Sequence, residues 1–218
     1  MTIECVTLDT NHFFPGNPIA GQHRLRYDSI IQRQSWPMPT FKNMEYDQYD
    51  NPATTYLIWR DEDLVVRGSC RLCQTINGSM LKDHLGFLVD EAESLLEGPD
   101  ILEGSRFCID RNTSLSLRKR IAQEIIVAYL EYGLQNNIRS IIGVMYPIYW
   151  NNLFEKNGWM PNWIGDVKKT DDGKKSRAGF VNVTQEALRN VRKMTGIYEP
   201  VISYGRASTE NVNFMKAV

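Results

Sequence analysis

The spacing of apolar and polar positions changes period several times along this chain. Residues 23–36, HRLRYDSIIQRQSW, carry a helical pattern that Pro37 and Pro39 stop. Residues 54–60, TTYLIWR, and 63–75, DLVVRGSCRLCQT, are strand-like runs joined by a short acidic connection, which predicts an antiparallel pair. Residues 80–96 read as a helix and residues 103–110, EGSRFCID, as another strand. The longest helix is predicted over residues 114–138, with Ile121, Ile125, Ala128, Tyr129 and Tyr132 at helical spacing and Ser116 as its cap. Residues 139–150 form a buried strand ending at Pro147, and residues 150–159 a short helix ended by Gly158. A late strand at 178–183 leads into a final helix over 184–196 with Thr184 at its cap.

Strands, long helix, strand, helix, strand, helix is the order of an α+β fold, a twisted mixed β-sheet flanked by helices. No repeat, low-complexity tract or long linker interrupts it, so residues 1–218 are expected to form a single domain, with 205–218 as a loosely ordered tail. At 218 residues and 42% hydrophobic composition the chain can bury a sizeable core.

Charge and cysteine usage narrow the function. A formal charge of -1 lacks the basic footprint that binds nucleic-acid backbone. No run approaches the roughly 20 apolar residues of a membrane span, and the first residues carry acids where a signal peptide has its apolar core, so a cytoplasmic location without membrane association is expected. Cys70 and Cys73 have C-x-x-C spacing, but on a strand they point to opposite faces, and no second pair stands nearby. They read as small apolar fillers, as do Cys5 and Cys108, and no metal is expected.

The chemistry concentrates elsewhere. MEYDQYD at residues 44–50 gathers Glu45, Asp47 and Asp50, with Arg26 and Trp36 upstream and Arg71, Glu103, Arg106 and Phe107 downstream. In order and spacing, Arg26, Trp36, EYDQYD, GSCRLCQT and EGSRFCID resemble the LuxI-type autoinducer synthases, the acyl-homoserine lactone synthases of quorum sensing. The resemblance covers most of the chain. It departs at Ile30, where the family usually has an aromatic residue, and at EGSR, where many members have a larger apolar residue before the serine.

The resemblance implies a fold similar to the GCN5-related N-acetyltransferases. It also implies an acyltransferase that uses S-adenosylmethionine as a substrate, with no cofactor, and an acylated carrier protein or acyl-CoA as donor. The α-amine of S-adenosylmethionine is acylated, and the substrate carboxylate then closes a lactone and expels methylthioadenosine. An ordinary N-acetyltransferase using acetyl-CoA on another amine is the alternative, although the R-x-x-G-x-G phosphate signature is absent before the long helix. A binding module without turnover is a third.

Each residue keeps two readings at this stage. Asp47 and Asp50 suit a cationic sulfonium substrate, or they pair with Arg71 and Arg106 to hold the loop in place. Glu103 is a base acting through water on an amine with a pKa of about 8, or a partner of Arg106 in an ion pair. Arg71 and Arg106 bind the substrate carboxylate or anchor the acidic loop. Trp36 closes the pocket with Arg26 or anchors the core, and the resemblance places Phe107 in the same S-adenosylmethionine and loop network. Val144, Met145, Tyr146 and Trp150 are candidates for the acyl pocket. Arg118, Lys119 and Arg120 form a basic turn that meets a pantetheine phosphate or carrier protein, or is merely exposed. The loop bearing the acids is expected to be mobile.

Overall fold

The computed structural model describes residues 3–76, 78–90 and 97–205. Strands are β1 (Ile3–Val6), β2 (Thr40–Phe41), β3 (Met44–Glu45), β4 (Thr55–Arg60), β5 (Val66–Gln74), β6 (Ile101–Ile109), β7 (Ser140–Met145), β8 (Asn162–Trp163), β9 (Lys168–Lys169), β10 (Lys175–Asn182) and β11 (Ile202–Ser203). Helices are α1 (Pro18–Arg26), α2 (Met80–Leu85), α3 (Leu115–Gln135), α4 (Pro147–Tyr149) and α5 (Gln185–Thr195). The main sheet runs β11-β1-β4-β5-β6-β7-β10-β8, with β9 pairing on β10, while β2 and β3 form a separate hairpin. Contacts between β1 and β11 and between β6 and β7 are parallel, and the others are antiparallel. The β4–β5 pair is the one the sequence predicts.

Strand alternation sorts the core into two faces. Leu57, Trp59, Cys70, Leu72 and Leu102 turn toward α3 and α5, where they bury Ile121, Ile125, Tyr129, Leu188 and Val191. Tyr56, Ile58, Val66 and Cys108 turn the other way, toward Ile19, Leu25 and Ile30. Beside them Ile101, Ile142 and Ala178 cover Leu81 and Leu88. Cys70 and Cys73 are buried, and all four cysteines are free thiols.

Several boundaries differ from expectation for local reasons. The first helix starts earlier, at Pro18, capped by Asn17, whose side chain accepts from the Ala20 N–H at 3.0 Å, and it unwinds into a π-turn over Tyr27–Gln32 before the prolines are reached. Ser114, not Ser116, caps α3 by accepting from the Leu117 N–H, and the Ser116 hydroxyl bonds back to Ser114. The predicted helix over 80–96 ends at Leu85, after which a tight turn over Gly86–Leu88 brings Asp90 to donate its N–H to the Ile164 carbonyl; residues 91–96 lie outside the described residues. Residues 206–218 of the expected tail lie outside them too. Thr184 caps α5 and Gly158 and Gly196 end their helices at φ 82° and 72°, as predicted. Among the described residues no helix is long and apolar enough to cross a membrane.

One close approach seats α3 on the sheet. A Cβ added at Gly68 of β5 would collide with Ile121 and come within 3.3 Å of Ile125. Gly68→Ala is therefore expected to cost about 1–3 kcal/mol through overpacking. Thermal unfolding should show a lower Tm, and an unchanged Tm would mean that α3 does not rest on this glycine.

Candidate active site

The three arginines and three carboxylates of the motif lie on the α1 face of the sheet and close into a ring of alternating charge. Arg26, from the last turn of α1, donates both terminal nitrogens to Asp50 at 2.7 and 2.8 Å and its Nε to Glu45. Glu45, on β3, also accepts from Arg106 at 2.9 and 3.1 Å. Arg106 passes to Asp47 at 2.6 Å, Asp47 to Arg71 of β5 at 2.9 Å, and Arg71 returns to Asp50 at 3.1 Å. All six side chains are 7% exposed or less. Three positive and three negative charges cancel, which is the condition under which burying them is tolerable.

Neighbouring groups complete the ring. Tyr56 donates its hydroxyl to Asp50 at 2.8 Å, and Arg71 donates its Nε to Ser105 at 3.0 Å. The Asp47 and Tyr49 N–H groups donate to Asp50 and Asp47, each at 2.9 Å, so the loop folds back on its own carboxylates. Thr54 donates to the Tyr49 carbonyl at 2.6 Å and the Tyr49 hydroxyl to Asp83 at 2.8 Å. The Nδ1 of His23 meets the Glu45 carbonyl at 2.8 Å and its ring lies 4.1 Å from that of Tyr46. The acidic loop, expected to be mobile, is thus pinned to α1, β5 and β6.

Burial alone would raise the Asp47 and Asp50 carboxyls. Hydrogen bonds and positive charge from Arg71 and Arg106 at Asp47, and from Arg26 and Arg71 at Asp50, overturn that, and both groups sit below the usual carboxylate range. Their folded pKa values are depressed, so their stabilisation is present above the unfolded value of about 3.9 and is lost only as pH falls through the folded values.

A bulge in β6 brings Arg106 to this face. Arg71 pairs with Ser105 and Ser69 with Cys108, so Arg106 and Phe107 together oppose Cys70 alone. Arg106 adopts φ 53°, a left-handed conformation that costs a non-glycine residue about 1–3 kcal/mol. Without the extra residue, alternation would place Arg106 on the α3 face and Phe107 under the ring. With it, Phe107 packs on the α3 side, its ring stacked 6.4 Å from Tyr129. Phe107, expected beside S-adenosylmethionine and the loop, therefore stands on the face opposite the ring.

Next to the bulge the sheet forks. Register pairs between β6 and the parallel β7 stop at Glu103–Ile142, and beyond them β6 presents a backbone edge without a ladder partner on β7. Glu103 stands at the base of this fork, 1% exposed, and does not pair with Arg106. Its two oxygens accept the N–H groups of Met80 at 2.9 Å and Leu81 at 2.7 Å, in the first turn of α2. Burial raises its pKa, and the two N–H donors and Arg71 offset this only in part.

The remaining predicted residues separate. Trp36 is half-buried against the α1-side cluster and its indole N–H has no partner there. Met145 faces α3 and Trp150 is buried beside it, whereas Val144 points to the opposite face with Leu81 and Leu88, and Tyr146 stacks near the surface on Tyr149 at 5.7 Å. Two of the four proposed acyl-pocket residues therefore do not line one space. In the basic turn Arg120 is engaged by Glu124 at 2.6 Å, while Arg118 and Lys119 have no ion-pair partner among the described residues. Sequence reasoning counted Glu45 only as one acid of a cluster, although it joins Arg26 to Arg106. It missed the α2 N–H pair entirely, since the residue α2 binds lies 22 and 23 positions further along the chain.

A forked parallel strand pair, a bulge in one of its two strands and a long helix behind define an N-acyltransferase-type fold. An acyl-CoA N-acyltransferase from Pseudomonas aeruginosa superposes with a TM-score of 0.51 over 83% of this chain and 99% of its own, at 12% identity. The CoA-dependent acyl-homoserine lactone synthase BjaI, solved with SAM and isopentyl-CoA, superposes with a TM-score of 0.80 over 93% and 92% of the two chains, at 20% identity. Residues 16–191 match the autoinducer synthase family, and an acyl-homoserine-lactone synthase of Vibrio anguillarum is 34% identical over 147 residues, 66% of this chain and 75% of the relative. The chain belongs to the autoinducer synthase family.

The ring makes a double-variant test possible. Asp47→Leu or Arg71→Met alone strands buried charge and should cost about 3–5 kcal/mol. The double variant leaves Arg26, Glu45, Asp50 and Arg106, two of each sign, so its loss in urea unfolding should fall well short of the summed single losses. Strict additivity would show that the six charges do not act as one unit.

Proposed function

We propose that this protein is an acyl-homoserine lactone synthase, which acylates the α-amine of S-adenosylmethionine from an acyl thioester and closes the lactone with release of methylthioadenosine. The observation that carries this reading is the position of Glu103, a buried carboxylate of raised pKa at the base of the β6–β7 fork, beside a charge-neutral ring that fixes the strand forming the fork.

The protonated amine loses a proton through water to Glu103, and its nitrogen attacks the thioester carbonyl. Backbone N–H groups of β6 beyond Glu103 receive the oxyanion, a role that needs donors already in place. Collapse of the adduct expels the donor thiol and leaves an amide. The substrate carboxylate then attacks its own γ-carbon, the carbon–sulfur bond breaks toward sulfur, and methylthioadenosine leaves as a neutral thioether without further proton transfer.

The ring supports this chemistry by positioning. Arg71 gives its donors to Asp47, Asp50 and Ser105, and Arg106 gives Nε and Nη2 to Glu45 and Asp47 with Nη1 against the Met80 sulfur, which favours the anchoring reading over direct binding of the substrate carboxylate. Arg106 is in this account a positioning residue that holds the bulge. On the donor side, Arg118 and Lys119 at the start of α3 suit the phosphate of a pantetheine arm, which CoA and an acyl carrier protein share.

Glu103→Gln tests the assignment. A glutamine offers one acceptor oxygen to two N–H donors, and it cannot take a proton. Methylthioadenosine release should fall by about 10²–10⁴ in kcat. Stability provides a second check. The native state holds the Glu103 proton to higher pH than the unfolded chain, so the group stabilises most below the unfolded value of about 4.3, and that contribution falls as pH climbs through the raised value. This pH-dependent component should disappear in Glu103→Gln. A variant with parental kcat would remove Glu103 from the mechanism.

A further inference from the structure

Glu103 is held by an element that must itself be held in place. Its carboxylate accepts the Met80 and Leu81 N–H groups, so whatever fixes α2 also fixes Glu103. On the apolar side, α2 buries Leu81 with Leu88 against Ile101 and Ile142. Its polar side meets the acidic loop. The Tyr49 hydroxyl donates to Asp83 at 2.8 Å, and the Gln48 amide nitrogen lies 3.1 Å from that hydroxyl and 3.2 Å from the His84 Nε2. Tyr49 is anchored at its other end: its carbonyl accepts from the Thr54 hydroxyl at 2.6 Å and from the Cys73 thiol at 3.5 Å, and the Arg71 guanidinium lies 5.7 Å from its ring centre. Burial and the Asp83 carboxylate keep the Tyr49 hydroxyl protonated, and therefore a donor. The buried side chain bridges the loop that carries the ring and the helix that holds Glu103.

We propose that Tyr49 and Asp83 are positioning residues for the base: their hydrogen bond ties α2 to the ring loop and keeps the Met80 and Leu81 N–H groups on the Glu103 carboxylate. The proposal rests on the reading of Glu103 as the base of a lactone synthase and adds what sets its protonation. Glu103 is faced by Arg71 and Cys73 from β5, by Asp47 and Tyr49 from the loop, and by the two N–H groups of α2. Arg71 and Asp47 are fixed by the ring. The N–H pair is the contact that moves when Tyr49 releases α2. Donors on an ionised carboxylate favour the charged form, so losing them raises its affinity for a proton.

Purified enzyme is given saturating S-adenosylmethionine and whichever acyl group, from butanoyl to dodecanoyl and on CoA or acyl carrier protein, the parent uses fastest. Methylthioadenosine release is followed by chromatography, and kcat is measured across about pH 5–9. Tyr49→Phe keeps the ring and loses the hydroxyl. In it and in Asp83→Ala the acidic limb of the kcat profile should move up by about one pH unit. Asp83→Asn retains an oxygen that accepts the Tyr49 hydroxyl, and its limb should stay at the parental position or below it, because removing a negative charge near a carboxylate lowers its proton affinity. A hydrogen bond that serves stability alone would lower Tm in Tyr49→Phe without moving the limb. A limb unmoved in folded Tyr49→Phe, or moved up as far in Asp83→Asn as in Asp83→Ala, overturns the proposal and leaves Glu103 as the base. A limb that survives in Glu103→Gln belongs to another group and overturns the base reading, and this proposal with it. Absence of methylthioadenosine from every donor overturns the lactone-synthase reading on which both stand.

Discussion

Six buried charges that cancel around a closed ring hold the site together. Arg26 comes from α1, Arg71 from β5 and Arg106 from β6, while Glu45, Asp47 and Asp50 come from β3 and the loop after it. No single charge is expendable, because each has a neighbour of opposite sign on both sides. Removing one exposes two partners to burial without compensation, which is far costlier than losing a surface salt bridge.

The ring and the bulge depend on each other. A left-handed Arg106 is unfavourable in a strand, and its guanidinium bonds to Glu45 and Asp47 are what the conformation gains. The extra residue also reverses the faces of the residues from Arg106 to the strand's end, placing Arg106 under α1 and Phe107 against Tyr129. Two environments are thereby separated: the charges and Glu103 lie on one face, and the aromatic cluster of Tyr129, Trp150 and Phe154 on the other. The fork between β6 and β7 joins the two.

The long helix was legible in the sequence because Ile121, Ile125, Ala128 and Tyr129 recur at helical spacing; residues 121–131 of α3 are buried all round, so the spacing marked the element and not its inner face. Short elements such as β1 and β11 carry too few positions for a period to register. The members of the site were legible as an ordered motif, but which acid meets which arginine is set by three elements converging, and no local pattern encodes that. Alternation misleads at Phe107 because it assumes an unbroken period of two, whereas Val144 and Met145, adjacent on β7, point to opposite faces and cannot line one pocket.

If the ring is the constraint that shapes β6, disturbing it at a point remote from that strand must be felt there. Asp50 bonds Arg26, Arg71 and Tyr56 and touches β6 only through the ring. Amide hydrogen exchange in the parent and in Asp50→Asn is the direct measurement. Faster exchange is expected at residues 44–50 and at residues 104–108 together, with α3 unchanged. Loosening of the loop alone, with β6 protected as in the parent, would contradict the claim that the charges and the bulge form one unit.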